Sequence, residues 1–308
     1  MANEITFSSL GDLTTSERLA GIHLLLLADR TALPQHPACI YAGSVTGSGS
    51  NVIKVPHAGL MGYDLLSVTS EGSQVSNTAL TDSSTQITVA RYSKVYQPGD
   101  TARIVDATGL INLDTFAMDA IVSQASTMLN LAANVVDDFT AYQGTSGQDA
   151  TFANFLDAIT TLETASAVGP LMGLLHSIQW GDIRKDVASA SGGAIQWNQG
   201  SQAMINAMKG LGYQGEFCGV SVYTSNRVPT ANSAADRAGA IWAPGGLVWA
   251  DANVPYDGDP NAYVLLNGKV LFERARSATY GLTGYVSHAY MGVAKAIDAA
   301  GCAIITDA

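Results

Sequence analysis

The stretch INLDTFAMDAIVSQASTMLNLAANVVDDFTAYQG, Ile111 to Gly144, reads as one long helix without a single lysine or arginine. Asn112 is placed to cap it, Asp114 sits in its first turn and Gly144 takes the position just past its end. Leu113, Ala117, Ile121, Ala125, Met128, Ala132, Val135, Phe139 and Tyr142 recur at spacings of three and four, which makes one apolar stripe. A helix of about 30 residues is about 45 Å long, well beyond the globular mean. Asp137 and Asp138 fall near its C-terminus, where carboxylates oppose the macrodipole. Helix stability is therefore not what put them there.

The imbalance extends beyond the helix. No basic residue occurs from Ile104 to Ile183, while Asp106, Asp114, Asp119, Asp137, Asp138, Asp149, Asp157, Glu163 and Asp182 lie within that span. Over all 308 residues the formal charge is −11, and only 13% of residues are charged, about half the usual ~25% of soluble chains. Hydrophobic residues make up 47%, which excludes a disordered chain. So sparse a charge suits either a mildly soluble globule or a surface covered by other subunits, where few charges are needed. An acidic chain is a poor partner for nucleic acid phosphates or anionic membranes, both of which are recognised by Lys and Arg.

Cys39, Cys218 and Cys302 are far apart and odd in number, so neither a disulfide framework nor a zinc site is expected. His36-Pro37-Ala38-Cys39 is the one close His/Cys pair, and Pro37 marks it as a turn. This cysteine usage fits assembly in a reducing cytoplasm. The polar start MANEITFSSL lacks a basic n-region, and the apolar run Ile22 to Ala28 is too short to span a membrane.

Along the chain, Thr14-Thr15-Ser16-Glu17 has the form of a capping box ahead of a helix that ends by Pro34. A Gly/Ser joint, Gly43 to Ser50, precedes strand-like runs at Asn51 to Val55, Tyr63 to Thr69 and Gln74 to Leu80. Gln86 to Gln97 reads as one strand with Ile87, Val89 and Arg91 on one face, closed by the turn Gln97-Pro98-Gly99-Asp100. The small polar residues from Ser67 to Thr85 have little to bury, so this hairpin must lie on something else. After Gly144 come a helix, Thr151 to Thr164, a buried strand, Leu171 to Leu175, and a helix, Ser177 to Val187. A Gly/Ser loop, a short helix from Ser201 to Lys209 and a strand from Phe217 to Tyr223 complete an α/β unit. Asn267-Gly268 between the apolar runs Tyr263 to Leu266 and Lys269 to Phe272 predicts a type I′ hairpin. Tyr290 to Ile297 and Cys302 to Thr306 supply closing strands.

No nucleotide-binding glycine motif and no Gly-x-Ser-x-Gly elbow is present, so no histidine has an identifiable serine partner. His57 reads as a loop or strand histidine. His176 is placed either to act in an α/β enzyme or to cap the helix after it. Asp257-Gly258-Asp259-Pro260-Asn261 offers oxygen ligands, but Ala262 and Gly268 stand where a calcium loop needs its glycine and its last carboxylate. Four scattered tryptophans, Trp180, Trp197, Trp242 and Trp249, imply burial or subunit contact. No catalytic, cofactor-binding or metal-binding residue is expected.

The order of these parts resembles the major capsid proteins of tailed bacteriophages, the Hong Kong 97-type fold. Gly219-Val220-Ser221-Val222-Tyr223-Thr224-Ser225-Asn226-Arg227-Val228-Pro229 resembles the strand and turn of that family's axial domain, and Ala238-Gly239-Ala240-Ile241-Trp242 the segment after it. The resemblance implies an α+β subunit. It has an N-terminal arm at 1–41, an extended hairpin or E-loop at 42–91, a peripheral domain with a spine helix at 92–146, an axial domain at 147–262 and a return at 263–308. It implies a non-enzymatic shell subunit in the virion, assembled in the host cytoplasm as hexamers and pentamers around double-stranded DNA. The spine would face that DNA without reading its sequence, and the partners would be other copies with portal, scaffolding and decoration proteins.

Crosslinking members join an E-loop lysine to a neighbour's asparagine, assisted by a glutamate. Tyr63 to Gln86 contains no lysine, and Lys54 and Lys94 lie at the base of the loop, so no such bond is expected. A start at Met1 with no room for a fused scaffolding segment predicts a separate scaffold and no trimming by a maturation protease. Two other readings stay open: an encapsulin shell holding cargo enzymes, and a cytoplasmic α/β enzyme using His176 and a nearby Asp.

Overall fold

The computed structural model describes residues 36–58, 82–106, 113–167, 169–189, 212–256, 262–265 and 269–307. The expected helices at 14–27 and 201–209, the tip of the E-loop, the Asn112 cap, the Asp257 to Asn261 turn and the Asn267-Gly268 turn lie outside these residues.

In chain order, β1 (Cys39–Ser44) is followed by β2 (Val52–Ala58), β3 (Asp82–Thr88) and β4 (Ala90–Tyr96), then the helices α1 (Asp100–Val105) and α2 (Leu113–Val136). The short strand β5 (Tyr142–Gln143) leads to α3 (Phe152–Thr164), β6 (Leu171–Leu175) and α4 (Ser177–Ser189). Strands β7 (Tyr213–Phe217), β8 (Val220–Thr224), β9 (Thr230–Ala231), β10 (Asp236–Trp242) and β11 (Leu247–Asp251) come next. The chain ends with β12 (Ala262–Leu265), β13 (Val270–Ser277), β14 (Leu282–Lys295) and β15 (Gly301–Asp307).

These strands form two sheets and a separate ribbon. The six-stranded sheet runs β1-β11-β14-β13-β12 with β4 also on β14, and the seven-stranded sheet runs β5-β15-β10-β6-β8-β7 with β9 on β10. The ribbon is the β2–β3 hairpin. The segment 263–308 is thus divided, with β12 to β14 in one sheet and β15 in the other, beside β10.

The C-terminal half of α2 sits where the two sheets meet. Its Ala132, Ala133 and Val136 pack against Cys39 and Leu247 of the six-stranded sheet and against Met172, Leu174, Ala240, Trp242 and Ala303 of the seven-stranded one. Two alanines in succession let backbones approach closely there. On the far face of the seven-stranded sheet, α3 and α4 bury Phe155, Ile159, Leu162, Trp180 and Ile183 against Val220, Val222, Ile241 and Ile304. Thr151 caps α3 by accepting the Asn154 N–H at 3.2 Å.

Several sequence expectations need correction. The long helix ends at Val136 rather than Gln143. Past it, Phe139 is buried, Thr140 N–H donates to Asp298, and Tyr142–Gln143 pairs parallel with Ala303 and Ile304. Gly144, at φ +106, lies well past the helix end, where a Cβ would meet the backbone oxygen of Ile305 at 2.2 Å. Of the expected stripe, Ala132 and Phe139 are buried and Val135 packs against the same core, joined there by Leu129, Ala133 and Val136, while Phe116 and Ala120 pack nearer the start of α2. Asp137 and Asp138 therefore stand just beyond the last turn, both exposed.

The expected strand Gln86 to Gln97 breaks at Val89 into β3 and β4, which belong to different sheets. Ile87 and Val89 are buried while Arg91 is exposed, so the inward face changes at the break. The expected strand Phe217 to Tyr223 is a hairpin whose turn is Cys218-Gly219, at φ +50 and +79. Two positive φ values in succession are what a two-residue hairpin requires.

Candidate functional site

The root of the hairpin arm is fixed by close packing. Ile87 and Val89 are buried with Val248, Ala250 and Ala252. Gly292 of β14 leaves room for the Thr88 carbonyl, which a Cβ at 292 would meet at 2.4 Å. Thr85 Oγ1 donates to the Ala296 carbonyl at 3.0 Å. A two-stranded ribbon is marginal alone, so these contacts are what aim it.

The N-terminal part of α2 is tied to β4 by polar groups. Lys94 Nζ donates to Asp119 and to Ser123 Oγ, each at 2.6 Å, and Tyr96 donates its hydroxyl proton to the same Asp119 carboxylate. Lys94 and Tyr96 hold the Asp119 carboxyl below the usual carboxylate range, and the Asp119 bond raises Lys94. Lys94, noted from the sequence as lying at the base of the loop, is thus a brace for the helix. Lys54 is exposed on β2.

At the far end of α2, Asp137 has its pKa raised, by partial burial first and by Asp138 second. Lys295 covers this end, donating to the Asp138 carbonyl and to Asp298 Oδ1.

The histidines divide by surroundings. His176 is buried, and its Nδ1 accepts the Ile178 N–H at 3.3 Å, which makes it a cap of α4. Burial, with Arg237 nearby, lowers its pKa. His36 is likewise buried, with its Nδ1 accepting from Ala38 N–H at 3.1 Å and its ring edge-on to Tyr223. Burial pushes the Cys39 thiol up to about 12, and a thiol so raised stays protonated and inert. His57 lies in β2 opposite Ser83.

One histidine does have a serine partner, which no sequence motif announces. Ser93 Oγ and His288 Nδ1 are 2.7 Å apart, and Glu273 Oε2 is 3.4 Å from His288 Nε2. Ser93 stands directly opposite His288 in the β4–β14 ladder. A hydrolytic serine projects from a sharp strand-to-helix turn, whereas Ser93 is in mid-strand. The row serves as a cross-strand tie joining β4, β14 and β13. Among the described residues, no group of three or more His, Cys, Asp or Glu could hold a metal ion. No described helix is long and apolar enough to cross a membrane.

Two further polar centres were not read from the sequence. Gln179, fully buried, accepts the His176 N–H at 3.1 Å and donates to the carbonyls of Arg237 and Ile304, each at 3.0 Å, and to Thr306 Oγ1 at 2.9 Å. Gly239 beside it leaves space that a Cβ would close, at 2.8 Å from the Gln179 oxygen. Asp236, also fully buried, accepts from Asn232 Nδ2 and from Gly147 N–H at 2.9 Å. It lies beside Asn232, Ser233 and Ala234, three successive left-handed residues at φ +49, +60 and +71. A buried glutamine and a buried aspartate look, in sequence, like any surface residue.

The two sheets, the helix wedged between them and the β2–β3 ribbon define a Hong Kong 97-type α+β fold. Solved structures agree along most of the chain. The capsid of Ralstonia phage GP4 is similar at a TM-score of 0.58 and 11% identity, covering 88% of this chain and 86% of that one. A chain of Mycobacterium phage Che8 is similar at 0.56 and 16%, covering 83% and 85%. The holo-SrpI encapsulin complex of Synechococcus elongatus is similar at 0.56 and 12%, covering 100% and 97%. No protein-family model matches the sequence, and no curated sequence matches it. At such identities the likeness establishes the fold, and the neighbours bearing it are mostly capsids.

Proposed function

We propose that the chain is the major capsid protein of a tailed double-stranded DNA bacteriophage, forming hexamers and pentamers of an icosahedral shell. The observation that carries this reading is the likeness to phage capsids over more than four fifths of both chains. The low charge density and the β2–β3 ribbon held at a fixed root support it, since both suit surfaces that meet other copies. In this reading 42–91 is the arm laid on a neighbour, 92–146 carries the spine, and 147–262 and 263–308 are the axial and returning parts. Portal, scaffolding and decoration proteins would be further partners, the virion is the location, and no chemistry is performed. The arm forms no lysine–asparagine crosslink, because Tyr63 to Gln86 has no lysine.

An encapsulin is the second reading, favoured by the likeness to the Synechococcus shell that spans all of this chain. Expression of the chain alone, followed by negative-stain microscopy, tests both against an enzyme. Closed shells or tubes support a shell. A stable monomer with a turnover abolished by His176→Ala overturns it. Nuclease-protected DNA inside native particles indicates the capsid, and a protein cargo the encapsulin.

A further inference from the structure

Three adjacent non-glycine residues in left-handed conformation are uncommon, because each brings its Cβ against the following carbonyl. Asn232, Ser233 and Ala234 are all exposed, so no tertiary packing holds them there. What does hold the turn lies directly after it. Asn232 donates through Nδ2 to one oxygen of Asp236, and Gly147 N–H donates to the other at 2.9 Å. Ala235 N–H closes the turn on the Asn232 carbonyl at 3.3 Å, and β9 pairs with Asp236 and Arg237 of β10. One carboxylate therefore joins a strained turn to the loop that follows β5.

We propose that Asp236 is an acid-released latch: its ionised carboxylate holds the left-handed turn at 232–234 and the loop at Gly147 in one arrangement, and protonation frees the turn to relax. Both oxygens of the carboxylate accept hydrogen bonds, and a carboxylic acid loses acceptor capacity at one of them. Asn232 first, then the Ser146 hydroxyl and Gly147 N–H, hold the Asp236 carboxyl below its ordinary range. A group with a lowered folded pKa stabilises above its unfolded value, near 3.9. That stabilisation is lost as pH falls through the folded value. The ionisable neighbours are Arg237 next along β10, Asp307 opposite in the β15 register, and Asp149 on the loop. The turn itself carries none.

The test is amide hydrogen exchange over residues 145–148 and 230–236 from pH 7 to pH 3, corrected for the intrinsic pH dependence of exchange. The wild-type chain should lose protection in these two segments together, below about pH 4, while β10 and β15 stay protected. Asp236→Asn should exchange there at least about tenfold faster at pH 7 and respond no further to acid. Asp149→Asn and Asp307→Asn should keep the wild-type profile. Ala234→Gly adopts positive φ without steric cost, so its release should move to lower pH. This variant stands on its own if Asp236→Asn fails to fold. Protection of the turn that does not change with acid, or an Asp236→Asn turn as protected as wild type at pH 7, overturns the latch. So does an Ala234→Gly release unmoved from that of wild type.

Discussion

The ring of Phe139 lies on Gly301, so closely that a Cβ at 301 would fall 2.0 Å from a ring carbon. This contact lets the chain leave α2 and enter the seven-stranded sheet, because β5 then runs beside β15. Gly301→Ala should destabilise the subunit by about 1–3 kcal/mol through overpacking. Its urea midpoint should fall, and Phe139→Leu in the same chain should recover part of the loss. An unchanged midpoint for Gly301→Ala would show that the ring moves aside freely.

The body of α2 was legible because spacing at three and four is a local property. Its end was not, because Tyr142 and Gln143 are held by Ala303 and Ile304, about 160 residues later in the chain. The break at Val89 has the same cause: strand-forming residues run on through it, and the inward face changes there because β3 and β4 belong to separate sheets. Leu171–Leu175 was read correctly as a buried strand, since an apolar run next to Gly169-Pro170 depends little on distant partners. Cys218 hid the β7–β8 turn by not being a turn residue, although Gly219 was the available signal. The order of the parts, not any motif, carried the fold.

Gln179 ties the start of α4 to two strands of the sheet beneath it. Gln179→Leu keeps most of the volume but removes the partner of His176 N–H and of the two carbonyls. Unsatisfied buried groups cost about 1–3 kcal/mol each, so the three left here imply a loss of at least about 3 kcal/mol. Gln179→Glu should be worse than Gln179→Leu at neutral pH, because it aims a carboxylate at carbonyl oxygens. Equilibrium denaturation of both variants gives the order, and the reverse order would contradict this account.

The brace between Lys94 and Asp119 should respond to pH with a definite sign. The lowered Asp119 stabilises above about pH 3.9 and loses this as pH falls through its folded value. The raised Lys94 stabilises below about pH 10.4 and loses this as pH rises through its own. With side chains 42% and 50% exposed, solvent screening limits the pair to about 1 kcal/mol or less. Asp119→Asn should therefore lower the thermal midpoint slightly at pH 7 and not at all at pH 2. A variant equally affected at both pH values would assign the effect to packing instead.

Asp137 and Asp138 remain to be explained, because they stabilise no helix. They stand exposed at the end of α2, within the span from Ile104 to Ile183 that contains no cation. If the spine lines the lumen of a shell, cations there would bind DNA phosphates and release counterions, holding the genome. An acidic or neutral lining lets DNA slide as it enters and leaves. Replacing both residues by lysine changes the formal charge by +4 per subunit, since each substitution removes one negative charge and adds one positive. Because neither side chain makes an ion pair among the described residues, shells should still form and show wild-type outlines by microscopy. DNA packaged per particle, or the fraction released on ejection, should fall markedly, and more so at low salt than at high salt. Particles that package and release DNA as wild type does would place these carboxylates away from the genome and leave the acidic span without this explanation.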